Sequence, residues 1–255
     1  VSAELDFSPA PGVAPAGQRI RRTGLLETRL LLRNGEQILL ALVIPILVLL
    51  GGHFLGRGLG LELRTLAPSV LAMALLSTSF TSLAISTGFD RRYGVLERLA
   101  ATPLTRTGLL LSKALAVGLT VALQLVVLVG LALILGWRPA TAPLPWLIAV
   151  LAAALAVLAF AAWALLLAGT LRAEATLGLA NLIYLLLISA GAVILPLSAY
   201  PAALQPVLAG LPSAALGEAL RNAALGQVAA WPLAVLAGWA LVGILLARKG
   251  FRWMP

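Results

Sequence analysis

Six stretches of this chain are apolar for long enough to cross a lipid bilayer, and no other feature narrows the possible folds as far. A helix rises roughly 1.5 Å per residue, so spanning roughly 30 Å of hydrocarbon takes about 20 residues. Runs of that order occupy 37–56, 66–89, 107–136, 146–170, 175–196 and 229–247. They are solid runs of Leu, Ala, Val and Gly, whereas a membrane β-barrel would show alternating segments of ~10 residues. Only 11% of residues are charged, against about 25% in ordinary soluble domains. The expected fold is therefore an all-α integral membrane protein with six transmembrane helices.

Charge placement sets the orientation. With six spans, both termini share one side with the loops 90–106 and 171–174. Fourteen of the 18 Lys and Arg residues fall on that side, and only Arg57, Arg64, Arg138 and Arg221 on the other. Basic residues are retained on the cytoplasmic side, so both termini are read as cytoplasmic, in a multi-pass protein of the bacterial plasma membrane. The net charge of +9 is on this reading a topological signal, and nucleic acid is not an expected partner, because no basic stripe carries interleaved aromatics.

Two segments do not span. Residues 1–18, with the Pro/Gly/Ala run Ser8 to Gly17, have nothing to bury and read as a disordered tail without the apolar core of a secretory signal. The domain proper is expected over 19–255. Its first part, 19–35, interleaves Ile20, Leu25, Leu26, Leu30 and Leu31 with Arg21, Arg22, Arg29 and Arg33. That is the pattern of an amphipathic helix lying in the membrane interface; a solvated basic lead-in is the plainer alternative. Segment 197–228 is apolar but broken by Pro201, Pro206 and Pro212, and it carries Glu218 and Arg221 one turn apart. Irregular backbone at membrane depth must be covered by protein or water, so a re-entrant or surface helical hairpin is expected before the sixth span.

The chemistry open to such a bundle is narrow. Cysteine is absent, the single His is His53 at a span end, and the Asp residues are Asp6 and Asp90 alone. No metal site is expected from this set. No GxxxxGK[ST] is present, since neither Lys113 nor Lys249 follows a glycine, so this chain carries no phosphate-binding loop of that type. Acidic residues are missing from the apolar cores of spans two to six, which disfavours an ion-coupled carrier. Uphill transport would then draw its energy from another polypeptide.

The remaining feature is a polar island between the second and third spans, Asp90-Arg-Arg-Tyr-Gly-Val-Leu-Glu-Arg-Leu-Ala-Ala-Thr-Pro-Leu104. Read as a helix, it gathers Val95, Leu96 and Leu99 on one face, and Pro103 ends it. Asp90, Gly94, Leu96, Glu97, Leu99, Thr102, Pro103 and Leu104, followed by Ser112-Lys113, resemble the signature of ABC-2 type permeases. These are the membrane subunits of type V ABC exporters, among them daunorubicin-type drug exporters and polysaccharide exporters. Asp90 stands where Glu is more usual, and Val95 where Thr is frequent. Glu218-Ala-Leu-Arg221 and the end Arg248-Lys-Gly-Phe-Arg-Trp253 agree with the same family, and the resemblance runs over about 20–253.

The resemblance implies a second permease, as a homodimer, and two copies of a separate ATPase that hold ATP and Mg²⁺, so that this chain needs no cofactor and is no enzyme. It makes the polar island a coupling helix, with Asp90, Arg91, Gly94, Leu96, Glu97, Arg98, Leu99 and Pro103 as the ATPase-coupling residues. Export of a hydrophobic or amphipathic small molecule fits the short outer loops; export of a lipid-linked polysaccharide, or a stand-alone channel or carrier, are the alternatives. The hydroxyls Thr78, Ser82 and Ser86 on one face of the second span, with Asn181 and Tyr184 of the fifth, form a candidate substrate path. Helix packing through hydroxyls bonded to their own backbone is the competing account.

The charge split yields a direct test. Single cysteines at Arg98 and Arg172 should be shielded from impermeant thiol reagents in intact cells, while one at Arg138 should label. Labelling of position 98 from outside would reverse the orientation.

Overall fold

The computed structural model describes residues 12–56 and 62–251; of the tail expected over 1–18, residues 1–11 lie outside the described residues, as do Arg57, Arg252 and Trp253, while Ala16 to Gln18 already belong to a helix. Among these all regular structure is helical. Helix α1 (Ala16–Arg33) follows Pro15 and ends where Asn34 turns extended. The first apolar run comprises α2 (Gly35–Ile38), a π-helical turn Leu39–Val43 and α3 (Ile44–Leu55). The next is α4 (Leu63–Leu76), a π-helical segment Ser77–Ser82 and α5 (Leu83–Arg92). There follow α6 (Val95–Ala100), α7 (Arg106–Ile134), α8 (Pro143–Thr170), α9 (Ala173–Ala190), α10 (Gln205–Ala209), α11 (Pro212–Leu225) and α12 (Trp231–Gly250).

Five of these are long and apolar enough to cross a membrane: Leu63–Arg92, Arg106–Ile134, Pro143–Thr170, Ala173–Ala190 and Trp231–Gly250. The stretch expected first contributes a shorter apolar helix, Ala41–Leu55. Leu63–Arg92 is the axis of the bundle: 78% of its apolar window is buried, against 17% for α9. Around it, α8 packs along α5, α11 and α12, while α1 and α4 lie against α7. Close packing here relies on small residues. A Cβ at Gly243 of α12 would stand 2.8 Å from the Trp163 indole of α8. Helix α1 meets α7 through its buried Gly24 and Thr28, leaving Leu25, Leu26 and Leu30 exposed.

The fifth apolar stretch differs from its expected extent of 175–196. Helix α9 stops at Ala190, because Gly191 leaves the helical region and Ala192 adopts φ 53°, a left-handed conformation that no α-helix continues through. What holds this strained segment is Arg221. Its guanidinium is buried and donates to the carbonyls of Ala192 and Val193, both at 2.8 Å, and to Ser69 Oγ at 3.2 Å. Nη2 also pairs with Glu218 Oε1 at 2.9 Å, and that oxygen accepts the Leu197 N–H at 2.9 Å. Ser69 in turn donates to Ile194 O. One ion pair thus satisfies the polar backbone that the end of α9 leaves open.

Trp137 is fully buried and packs edge-on against Trp146, with ring centroids 6.2 Å apart.

Loss of one partner of a buried ion pair costs about 3–5 kcal/mol. Arg221→Ala should therefore lower the unfolding temperature of the purified protein steeply, and Glu218→Ala should cost less in that background than in the wild type. Strictly additive losses would mean that the two side chains act independently.

Candidate functional site

A lone lysine two turns into a helix as apolar as α7 needs a counter-ion. Lys113 has two. Its Nζ lies 2.9 Å from Asp90 Oδ2 and 3.0 Å from Glu27 Oε2. The Lys113 side chain is 2% exposed, whereas those of Asp90 and Glu27 are 34% and 20% exposed. The cation therefore sits behind its partners, and the carboxylates face outward. Asp90 is on the last turn of α5, Glu27 on α1 and Lys113 on α7, so one charge cluster ties three elements together.

Two residues, Tyr93 and Gly94, separate α5 from α6. Gly94, with φ 70°, lets the chain reverse from α5 into α6 in a conformation that side-chain-bearing residues rarely adopt. In the six-residue helix that follows, Leu96 is fully buried and Leu99 half-buried, while Val95, Glu97 and Arg98 are exposed. The apolar face read from the sequence as a partner contact is thus turned into the protein's own core, and the opposite face points outward. Beyond it, Thr102 donates to Leu99 O at 2.6 Å and Thr105 caps α7 by accepting the Gly108 N–H at 3.0 Å. Pro103 is exposed, and its carbonyl accepts from Arg19 of α1.

Arg91 also faces inward. It is buried and donates to the carbonyls of Leu171 at 3.1 Å and Ala168 at 3.3 Å, closing the end of α8. Its neighbour Arg92 forms an exposed ion pair with Glu174 of α9. Of the residues expected to meet an ATPase, Glu97, Arg98 and Pro103 are presented outward, whereas Arg91 and Leu96 are structural; Asp90 is engaged with Lys113, and Gly94 forms the turn.

The hydroxyl path is partly assembled. Thr78, Ser82 and Ser86 line one cleft with Glu27, Lys113, Thr120 and Gln124. Thr78 Oγ1 donates to Gln124 Oε1 at 2.9 Å, and the Gln124 amide donates to Ala41 O. Thr78 and Ala41 each lie in a π-helical turn, so one glutamine bridges both irregular turns. The cleft is narrow, with about 30 Å³ of free volume, room for no more than a water or two. Ser86 and Thr120 bond back to Leu83 O and Ala116 O. Tyr184 hydrogen-bonds Ser77 rather than lining the cleft, and Asn181 is exposed on α9.

The comparisons with known proteins fit this arrangement. Residues 62–249 match the family described as ABC-2 family transporter protein. This chain belongs to that family. It is also 26% identical over 254 residues to the probable doxorubicin resistance ABC transporter permease protein DrrC of two Mycobacterium tuberculosis strains, CDC 1551 / Oshkosh and ATCC 25618 / H37Rv, over 93% of this chain and 90% of theirs.

Within this ABC-2 family transporter, sequence reasoning missed Glu27 and Gln124. Gln124 stands alone in an apolar run, and that isolation was the available signal. Glu27 among five arginines had none, because only the fold brings it to a residue 86 positions away.

Lys113→Met should lower the yield of folded protein and its unfolding temperature, by stranding two carboxylates together. Adding Asp90→Asn should recover part of that loss. A further loss instead would mean that Asp90 does not act through Lys113.

Proposed function

We propose that this protein is the membrane-spanning permease subunit of an ATP-driven exporter, and that α6 is the surface its ATPase grips. The observation that carries this reading is the orientation of α6: Leu96 anchors the helix in the core while Val95, Glu97 and Arg98 face outward. A helix fixed on one side and free on the other transmits a push into the bundle. Asp90, six residues before Leu96, carries it to Lys113 and so to α1 and α7. Hydrolysis of ATP with Mg²⁺ belongs on this reading to a separate subunit, present in two copies.

Six crossings remain the reading we favour, with both termini cytoplasmic in a bacterial plasma membrane. The run through α2, the π turn and α3 covers residues 35–55, which at roughly 1.5 Å per residue reaches about 30 Å. A re-entrant outer hairpin is supported by Trp239, whose indole donates to Gly210 O at 2.8 Å. Trp239 is eight residues into α12, about 12 Å along its axis, so the α10–α11 connection reaches well below the start of α12. A second copy of the chain would cover the exposed face of α9, where Asn181 stands among leucines and gains a polar partner only from another protein.

For cargo, a hydrophobic or amphipathic small molecule fits the hydroxyl-lined cleft best, and the doxorubicin resistance proteins it resembles point the same way. Thr78, Ser82 and Ser86 would supply its polar contacts once Gln124 lets the cleft open.

The outward face of α6 can be tested apart from the bundle's stability. Glu97→Lys/Arg98→Glu should fold and insert normally but co-purify with the ATPase at least ten-fold less, as loss of about 1.4 kcal/mol or more of contact energy requires. Leu96→Ala should instead destabilise the permease itself, by about 2–5 kcal/mol. Undiminished association and transport in the charge-reversed variant would remove α6 as the coupling surface.

A further inference from the structure

Away from the hydroxyl cleft, a second cavity opens between α7, α8 and α12. It arises because α7 and α12 both pack on α8 but barely on each other. Its floor is made of small, buried residues, Ala161, Ala162 and Ala247, and its walls of Leu111, Leu158 and Ile244, all exposed on the outer surface. The free volume is about 90 Å³. That is several times the space one water needs, and apart from one end the lining is apolar, so water gains nothing by entering.

The exception is the end near the start of α7 and the finish of α12. There Thr107 and Arg248 line the cavity, with Arg106 and Lys249 adjacent in sequence and exposed. No acidic residue is among the lining. The N-terminus of α7, a 29-residue helix, lies at this same end, and its dipole adds to the positive field.

We propose that this groove is a binding site for an anionic phospholipid of the inner leaflet, one acyl chain lying against Ala161 and Ala247 and the phosphate between Arg248 and Arg106. The apolar slot and the basic end match the two halves of such a molecule, and they lie in the order a bilayer imposes: chain towards the membrane interior, headgroup at the charged end of the spans. A soluble anion could use the basic end but would leave the slot empty. A neutral lipid could fill the slot but would not engage the arginines. The site is separate from the cleft proposed for cargo, since no residue lines both, and it stands whether or not that cleft carries substrate.

Native mass spectrometry of the full-length permease, released from detergent with defined lipids, reads this directly. Phosphatidylglycerol should be retained in preference to phosphatidylcholine, and glycerol phosphate at the same concentration should not displace it. Arg248→Ala should weaken phosphatidylglycerol retention by roughly five-fold, the effect of one basic side chain near an anionic headgroup, and Arg248→Lys should retain most of it. Ala114→Leu, which fills the slot from α7 without altering charge, should reduce retention of both lipids at this site. Each variant is compared at matched unfolding temperature, so that misfolding is recognised as such. Equal retention of the two lipids by the wild type, displacement by glycerol phosphate, or full retention by Ala114→Leu would each overturn the assignment.

Discussion

Much of this structure depends on the burial of one ammonium group. An unpaired charge in an apolar bundle costs several kcal/mol, and Lys113 escapes that cost only if α1 and the end of α5 both reach it. Satisfying the lysine therefore assembles the end of the molecule at which α6 lies. It brings Glu27 across 86 positions and Asp90 across 23, and it leaves only Tyr93 and Gly94 between α5 and α6. With so short a connection, α6 cannot move without moving Asp90. The same ion that pins the fold thus also fixes where α6 leaves the bundle.

The opposite end of the bundle solves a similar problem with the other basic side chain, and the choice follows from geometry. Around Lys113 the partners are two carboxylates, which a compact cation meets well. Around Arg221 the partners are backbone carbonyls, a hydroxyl and one carboxylate at different angles. A planar fork of several donors reaches these together, where an ammonium would not. Each end of the bundle is closed by a cation suited to what it must satisfy.

Much of this architecture was legible in the sequence because bilayer thickness imposes a length that soluble folds lack. The runs 66–89, 107–136, 146–170 and 229–247 correspond to helices whose ends differ by only a few residues. The α9 terminus was overestimated, since Ala192 and its left-handed φ have no compositional mark. The short α6 was legible as a helix but not in its facing. A period of 3.6 shows that Leu96 and Leu99 share a side; it does not say whether that side meets a partner or the chain itself. Arg91 was misplaced for the same reason, as an arginine beside others looks exposed until α8 supplies carbonyls for it. Tyr184 and Asn181, three apart, were expected together, yet one reaches Ser77 and the other the outer surface.

The π-helical segment Ser77–Ser82 bears on how relatives of this chain should be aligned. In a regular α-helix, residues eight apart point roughly 80° away from one another, because each adds roughly 100°. Thr78 and Ser86 are eight apart and line the same cleft, which is natural if the segment absorbs one surplus residue, as a π turn does. A homologue lacking one residue here would carry an unbroken α-helix with its flanking side chains still facing as they do in this protein, Asp90 among them. A single-residue gap at this point would then record the straightening of a helix, and it would leave the equivalence of the positions on either side intact.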